Sequence, residues 1–363
     1  MKLETFSYQQ RTGWSLSELP ALDSPNTLVI AFGSPSFRDN HQVLTELSAA
    51  YPQSKLVGCS TAGEIYGTEL NDHSLCVAVA RFDDTTLKVA TAPVKDARES
   101  FAAGEAISQQ LSDPSLRGVV VLSDGLGVNG SDLVKGLSAG LPPYVPVTGG
   151  LAADGDRFQK TWVIKDGAPT DGHVSAVGLY GEKVHLGHGS KGGWDIFGPE
   201  RKVTRAEHNV LYELDGKPAL KLYKEYLGER AAGLPATALL FPLGLRLSAD
   251  EEKRIVRTVL SVDEDTQSMT FAGDIPQGSL VQLMRANFDR LIDGASEAAL
   301  MSKRMMPPAS DSLSIAISCV GRRLVLGERA EEELEATLDV LPECTKQIGF
   351  YSYGEISPYA IGH

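Results

Sequence analysis

Two stretches of the sequence contain residue types that could support acid–base chemistry. The pattern G-x-x-x-x-G-E-I occupies residues 58–65 and again residues 349–356, and it places Glu64 and Glu355 directly after a glycine. Two carboxyl groups that met in a shared pocket could act as general acid and general base. Alternatively, each glutamate caps a helix start or accepts hydrogen bonds from turn amides. The second alternative is favoured, because the sequence offers no obvious nucleophile or metal.

Two cysteines, Cys59 and Cys319, each end an apolar run. A cysteine acts as a nucleophile or metal ligand only where its pKa is lowered enough to form the thiolate. The sequence places no histidine or lysine beside either thiol, and a buried free cysteine is most often a small hydrophobic residue. An enzyme that uses Glu64, Glu355 and these two cysteines at paired strand ends is therefore an alternative to a binding protein.

Glycine-rich segments follow four of the expected strands, and each carries one or two polar residues. Glycine permits positive φ, as expected at Gly354, and lets a ligand approach the backbone closely. Ligands of α/β sheets bind outside the strand ends, which predicts a cleft there between two domains. The plainer explanation is that turns favour glycine, serine and aspartate. The candidate ligand-binding residues are Cys59, Ser60, Glu64, Asp124, Asn129, Gly149, Gly150, Asp154, Trp194, Cys319, Tyr353, Gly354 and Glu355.

Of the seven histidines, His185 and His188 lie in the segment VHLGHGS. A zinc site needs more ligands than this pair supplies, and residues three apart in a strand face opposite sides. His188 is the candidate metal ligand, because glycines on both sides leave room around its ring and Trp194 follows soon after. A neutral imidazole is an axial ligand of haem iron. Without a CxxCH motif the group would be non-covalent haem b; the alternative is a hydrogen-bonded structural histidine.

Two catalytic and binding motifs are absent from the sequence. It contains no GxxxxGK[ST] and no HExxH. The chain of 363 residues has a net charge of −13, which argues against nucleic acid and anionic membranes as partners. We find no signal-peptide h-region and no apolar run of membrane-spanning length. Four scattered cysteines fit a reducing cytoplasm.

Strand and helix signals alternate along the first part of the chain, which is typical of an α/β fold. Ser131 is predicted to cap the helix that follows it, since its hydroxyl can accept hydrogen bonds from free amides. Strands are predicted at residues 27–33, 55–59, 74–82, 86–92 and 118–125, and helices at residues 40–50 and 100–111.

The last third of the chain repeats this order. Residues 254–275 predict a hairpin, and the spacing of apolar residues predicts an amphipathic helix over residues 280–294. In the middle of the chain, residues 183–190 predict a strand, whereas the glycine- and proline-rich residues 189–202 predict irregular structure. The sequence therefore predicts two related α/β domains with mixed β-sheets, hairpins and flanking helices.

Several segments, taken in order, resemble the FIST domain proteins. They include LVGCSTAGEI, LSDGLGVNGSDLVKGL, PVTGGLAADGDRFQKTWV, SCVGRRLVLG and GFYSYGEISP. The resemblance covers most of the chain and implies an N-terminal FIST domain over residues 1–215 and a C-terminal FIST domain over residues 216–363. The relatives commonly continue beyond YGEISP into a stretch with a His-Asn pair, whereas this chain stops at YAIGH.

The resemblance implies a small-ligand sensor of bacterial signalling. In its most specific form, similar to the stand-alone branch of the family, the sensor binds haem through His188 and detects nitric oxide. The other form is a haem-free sensor of amino acids or similar metabolites. Either form acts through a partner, which the resemblance implies is a histidine kinase or a cyclic-di-GMP enzyme.

Overall fold

A computed structural model describes residues 1–251, 254–307 and 311–358 of the chain. The strands are β1 Lys2–Gln9, β2 Gly13–Trp14, β3 Thr27–Gly33, β4 Lys55–Ser60, β5 Glu64–Tyr66, β6 Glu69–Asn71, β7 Ser74–Arg81, β8 Thr86–Pro93, β9 Leu116–Ser123, β10 Val147–Leu151, β11 Val163–Lys165, β12 Ala168–Thr170, β13 His173–Tyr180, β14 Asp195–Glu207, β15 Val210–Leu214, β16 Lys217–Pro218, β17 Leu243–Arg246, β18 Ile255–Arg257, β19 Val259–Asp263, β20 Ser268–Phe271, β21 Leu280–Arg285, β22 Ser312–Cys319, β23 Thr345–Ser352 and β24 Gly354–Ile356.

The α-helices lie between these strands, and short 3₁₀ turns accompany several of them. None of the helices in the described part of the chain is long and apolar enough to cross a membrane. The α-helices are α1 Gln42–Ala50, α2 Ser100–Leu111, α3 Gly130–Gly140, α4 Ala219–Leu227, α5 Phe288–Lys303, α6 Val320–Leu326 and α7 Ala330–Val340.

Three units of the fold share one plan, a parallel strand pair whose strands are joined through helices. In unit 1, β3 and β4 are joined through α1; in unit 2, β9 and β10 through α3; in unit 3, β22 and β23 through α6 and α7. Parallel neighbours require such crossovers. Units 1 and 2 each add two antiparallel strands, β7 and β1 or β13 and β8, beside the first strand of the pair.

The three units exchange strands in a closed cycle. β5, which follows β4 of unit 1, pairs with β23 of unit 3. β24, which follows β23, pairs with β10 of unit 2, and β11, which follows β10, pairs with β4 of unit 1. The two G-E-I segments are therefore equivalent connections, each carrying the chain from one unit into the sheet of another.

The inner faces of the three units form a common core. Phe32 of unit 1 and Phe350 of unit 3 lie 4.6 Å apart between ring centroids, and Leu122 of unit 2 belongs to the same buried cluster. The helices cover the outer faces. β3 is buried along its whole length, as expected for a parallel strand covered on both sides.

An eight-stranded antiparallel sheet, formed by β14 to β21, packs with α4 as a separate body with its own core. Its strands come from both sides of residue 215, since β14 pairs with β21 and β15 pairs with β20. The predicted mixed α/β fold class is confirmed.

Some local predictions were wrong. Residues 280–285 form β21, and α5 begins only at Phe288, after Asn287, whose side chain accepts the Arg290 amide hydrogen bond. Residues 183–194 contain no strand, whereas the predicted irregular segment contains most of β14. The cap of α3 is Asn129 rather than Ser131, because the Asn129 side chain accepts from the amides of residues 131 and 132.

Candidate functional site

Equivalent glycines lie at the same position of β4, β10 and β23. A Cβ atom on Gly58, Gly149 or Gly349 would lie 2.0, 1.8 or 1.9 Å from a carbonyl oxygen of the parallel neighbouring strand. Gly149 also has a φ of +150°. These glycines let two strands approach each other. A Cβ atom on the neighbouring Gly150 would lie 3.0 Å from the Ile317 side chain. Protein atoms rather than a ligand therefore occupy the space beside these backbones.

Glu64, after β4, is enclosed by hydrogen-bond donors. Its side chain is 2 % exposed. The Thr61 hydroxyl donates to Oε1, while Oε2 accepts the Ser74 amide at 3.0 Å and the Ser74 hydroxyl at 2.8 Å. Burial raises the pKa of Glu64 to about 7, against the opposing effect of these donors. Ser74 is the first residue of β7, so this strand seals the carboxyl.

Glu355, after β23, occupies the equivalent position but is only half satisfied. The Ser352 hydroxyl donates to Oε1 at 3.2 Å, as Thr61 does to Glu64. Within the described ranges, no other residue donates to Oε2, although the amide of Glu355 itself hydrogen-bonds the carboxyl. The side chain is exposed, yet the protein around it desolvates the carboxyl and raises its pKa. Glu355 therefore combines an exposed side chain with a desolvated carboxyl.

Cys319 lies beside Glu355, at the junction of β22 and α6. It is partly exposed, and its Sγ accepts the Gly321 amide at 3.2 Å. Burial, followed by the charge of Glu355, raises the pKa of Cys319 to about 12. Cys59 is fully buried, and burial also raises the pKa of its thiol. Neither cysteine therefore has the lowered pKa of an activated thiolate.

The two candidate aspartates hold loops in place. Asp124 accepts the amides of Leu126 and Gly127 through Oδ1 and the Gly172 amide through Oδ2. Asp154 is 1 % exposed, and its Oδ2 accepts two backbone amides from the loop at residues 159–160. Neither carboxylate has an oxygen left for a ligand.

Three further candidates also have protein partners. The Tyr353 hydroxyl donates to Asp154, and its ring stacks on Phe158 with centroids 4.6 Å apart. Asn129 caps α3 and donates to Asp274 at 2.7 Å. The Ser60 hydroxyl accepts the amide of a buried tryptophan. Gly354 does not have the expected positive φ, which occurs instead at its counterpart Gly63, at +136°.

His188 and Trp194 lie elsewhere, in the irregular segment that packs against α5. A Cβ atom on Gly187 or Gly189 would lie 2.2 or 1.9 Å from a carbonyl oxygen of α5. The glycines beside His188 therefore bring the chain against a helix. Trp194 packs beside Leu291 of the same helix. The structure thus brings Glu355 and Cys319 together.

A buried ionic network next to Glu355 was missed from the sequence. Arg322 and Glu333 pair at 2.6 Å with side chains 8 % and 2 % exposed. Glu333 also accepts from the hydroxyls of Tyr351 and Ser318, and Arg322 donates to the Leu291 carbonyl. The signal available in the sequence was the pair of arginines inside the otherwise apolar segment SCVGRRLVLG.

A polar surface cavity of about 370 Å³ lies where β21 ends and α5 begins. Its charges are largely paired, since Arg329 contacts Asp289 at 3.0 Å and Arg290 contacts Asp195 at 2.5 Å. Its lining residues are Asp195, Arg285, Ala286, Asn287, Phe288, Asp289 and Arg329.

Comparison with protein families matches residues 27–217 to the FIST N domain and residues 219–358 to the FIST C domain. The chain belongs to the FIST family. FIST domains are associated with small-ligand sensing in signal transduction. An archaeal relative, uncharacterized protein MJ1623 of Methanocaldococcus jannaschii, is 26% identical over 375 residues, covering 91% of this chain and 69% of that protein. A chorismatase crystal structure matches 98% of both chains with a TM-score of 0.34 and 8% identity.

Proposed function

We propose that this FIST protein senses a small ligand at the exposed carboxyl of Glu355, beside Cys319 and Ser352, called here the Glu355 site. The proposal rests on the contrast between two equivalent carboxyls. Glu64 has donors on both oxygens, whereas Glu355 is exposed and has a donor on only one. The protein around Glu355 desolvates its carboxyl, and a hydrogen bond in such surroundings is stronger than one in water. A ligand that donates to Glu355 therefore gains binding free energy from that hydrogen bond.

The neighbouring network offers a route from the site to the surface. Ser352 follows Tyr351, whose hydroxyl donates to Glu333 of α7, and Cys319 starts α6. Through Arg322, the same network reaches α5. Ligand binding at the Glu355 site therefore favours one arrangement of α5, α6 and α7 by its differential affinity for it, and these helices present the altered surface to a partner.

The partner class and the location come from the family resemblance and belong to this proposal. We infer a histidine kinase or a cyclic-di-GMP enzyme as the recipient of the signal, in the cytoplasm. Mixing the purified chain with a candidate kinase, with and without ligand, and measuring autophosphorylation tests this directly.

Haem b, with His188 as its candidate ligand, is the finer version of the proposal. Burial lowers the pKa of His188, which favours the neutral imidazole that iron binds. The glycines on either side are nevertheless packed against α5. Titration of the purified protein with haem decides the matter. A saturable Soret band that shifts with nitric oxide and disappears in His188→Ala would support the gas-sensor version.

The sensor proposal predicts ligand-induced stabilisation that depends on Glu355. The test is a thermal-shift screen of a metabolite library. We expect hits that raise the melting temperature of the wild type by several degrees, because a ligand at a hundred times its Kd stabilises the folded protein by about 2.7 kcal/mol. Glu355→Ala should lose these shifts, whereas Glu343→Ala, at an exposed glutamate, should keep them. Hits that stabilise both variants equally would place the ligand elsewhere.

A further inference from the structure

The surroundings of Glu64 in unit 1 show which hydrogen-bond donors the equivalent carboxyl of Glu355 in unit 3 can accept. In unit 1, the amide and the hydroxyl of Ser74 both donate to Glu64 Oε2, and Ser74 begins the antiparallel strand β7. In unit 3, β22 pairs with β23 on one edge, and no described strand pairs with its other edge. Among the described residues there is therefore no counterpart of Ser74, and Glu355 has fewer donors there than Glu64.

The charges that face Glu355 leave it uncompensated. Arg322 of α6 acts on its carboxyl from nearby, but Glu333 of α7 already neutralises that guanidinium. Cys319 at the end of β22 is a neutral thiol. The ion pairs formed within the described ranges do not include Glu355. A net charge of −13 for the whole chain adds a general attraction for cations.

We propose that the Glu355 site binds the ammonium group of a small cationic amine, which donates N–H to Oε2 in place of the missing strand. This inference rests on the proposed function and names the chemical class of its ligand. An ammonium group supplies several donors and the opposite charge, and hydrogen bonds between charged groups are about twice as strong as neutral ones.

Other ligand chemistries match the site less well. A carboxylate or carbonyl needs donors, but the Ser352 hydroxyl is used by Glu355 and the Gly321 amide by Cys319. A metal ion needs several converging ligands. The group of potential metal ligands found among the described residues is Asp132, His208 and Asp274, which does not include Glu355.

The test compares three small molecules of one shape, n-butylamine, n-butanol and butyrate, in ligand-observed NMR titrations with the full chain. We expect saturable binding of the amine and at least about tenfold weaker binding of the other two, the discrimination that one charged hydrogen-bonding partner provides. Glu355→Gln should weaken amine binding about tenfold, while Glu343→Gln should leave it unchanged.

The outcomes separate the two proposals. Butyrate binding that equals amine binding and depends on Glu355 would overturn the amine inference and keep the sensor site. Amine binding unaffected by Glu355→Gln would also overturn the inference. Both proposals fail if substitution of Glu355 changes neither the thermal shifts of the library hits nor the affinities of the three probes. Should Glu355→Gln not fold, the affinity of the wild type for n-butylamine is measured as a function of pH. This affinity must rise with pH as the Glu355 carboxyl loses its proton, and an affinity that does not change with pH would contradict the inference.

Discussion

At the scale of single residues, the two glutamates of the repeated motif show how surroundings set the role of a side chain. Glu64 and Glu355 share the pattern G-x-x-x-x-G-E-I, and each accepts a hydrogen bond from a hydroxyl three residues earlier, Thr61 or Ser352. Their difference arises from Ser74, which seals one carboxyl and has no described counterpart at the other. A carboxyl with donors on both oxygens supports the fold, whereas one with a free oxygen can bind a ligand.

The buried carboxyl of Glu64 should make stability depend on pH. Its pKa is about 7 when folded and 4.5 in its ordinary state, so the folded protein binds the proton more tightly. The stabilisation from this proton is complete below pH 4.5 and is lost by about pH 7. We expect the free energy of unfolding of the wild type, relative to Glu64→Gln, to fall by about 3 kcal/mol between pH 4.5 and pH 8.

Urea unfolding of both proteins across this pH range measures the difference. The glutamine variant has no proton to lose at this position, so it removes one titration and leaves the others. Glu343→Gln, at an exposed position, is the control and should follow the wild type. A difference between wild type and Glu64→Gln that stays constant with pH would contradict the assignment.

The sequence predicted part of the site. Repetition of G-E-I identified Glu355, and Cys319 was chosen as the end of an apolar run. The sealing of Glu64 was not predictable, because it depends on where β7 begins relative to β5. Asp124, Asp154 and Tyr353 were chosen for their polar groups, yet those groups are spent on the protein's own loops.

At the scale of elements, the equivalent glycines hold parallel strands together. A Cβ atom on Gly349 would lie 1.9 Å from the carbonyl oxygen of Ala316 on β22. The strand pair must separate to accommodate it, so we expect Gly349→Ala to destabilise the protein by at least about 2 kcal/mol, as for other overpacked sites. Urea unfolding measures the loss.

A second glycine provides the control for this prediction. At Gly127 the nearest atom to an added Cβ is the Lys95 carbonyl oxygen at 3.5 Å, which is ordinary contact. Gly127→Ala should therefore change stability by no more than about 0.5 kcal/mol. Equal losses in the two variants would mean that backbone freedom, rather than strand contact, sets the cost.

Elements with a clear hydrophobic period were predicted closely, and those with ambiguous patterns were not. The predicted helix at residues 100–111 coincides with α2, and the predicted strand at residues 27–33 coincides with β3. Residues 280–294 combine a strand and a helix whose apolar positions, read continuously, also fit one helix. The pattern of apolar residues indicates only which positions are buried. The change from strand to helix at Asn287 depends on the pairing of β21 with a strand far away in the chain.

At the scale of the whole molecule, strand exchange joins segments that are distant in sequence. β5 completes the sheet of β23, and β24 completes the sheet of β10. The eight-stranded sheet likewise combines β14 and β15 with β20 and β21. The sequence predicted two related domains but not this exchange, because short edge strands carry too little pattern to specify partners hundreds of residues away.

The exchange predicts that the chain folds as one body, although its backbone can be cut at the boundary between the two family domains. Gly216 lies in an exposed turn at a φ of +74° with no atom within 4 Å of an added Cβ. A protease site inserted at this turn should be cleaved while the two pieces stay associated in size-exclusion chromatography. Five of the described strand pairs cross the cut, namely β5–β23, β10–β24, β14–β21, β15–β20 and β15–β16.

The same argument makes separate expression of the two pieces the sharper test. Residues 1–215 alone lack β24 beside β10, and in this piece β14 and β15 lose β21 and β20. Residues 216–363 alone lack β5 beside β23. Unpaired strand edges are aggregation-prone, so we expect each piece to aggregate or to show no cooperative thermal transition. Mixing both during refolding should restore the transition of the intact chain. A sharp transition in either piece alone would show that exchange is not required for folding.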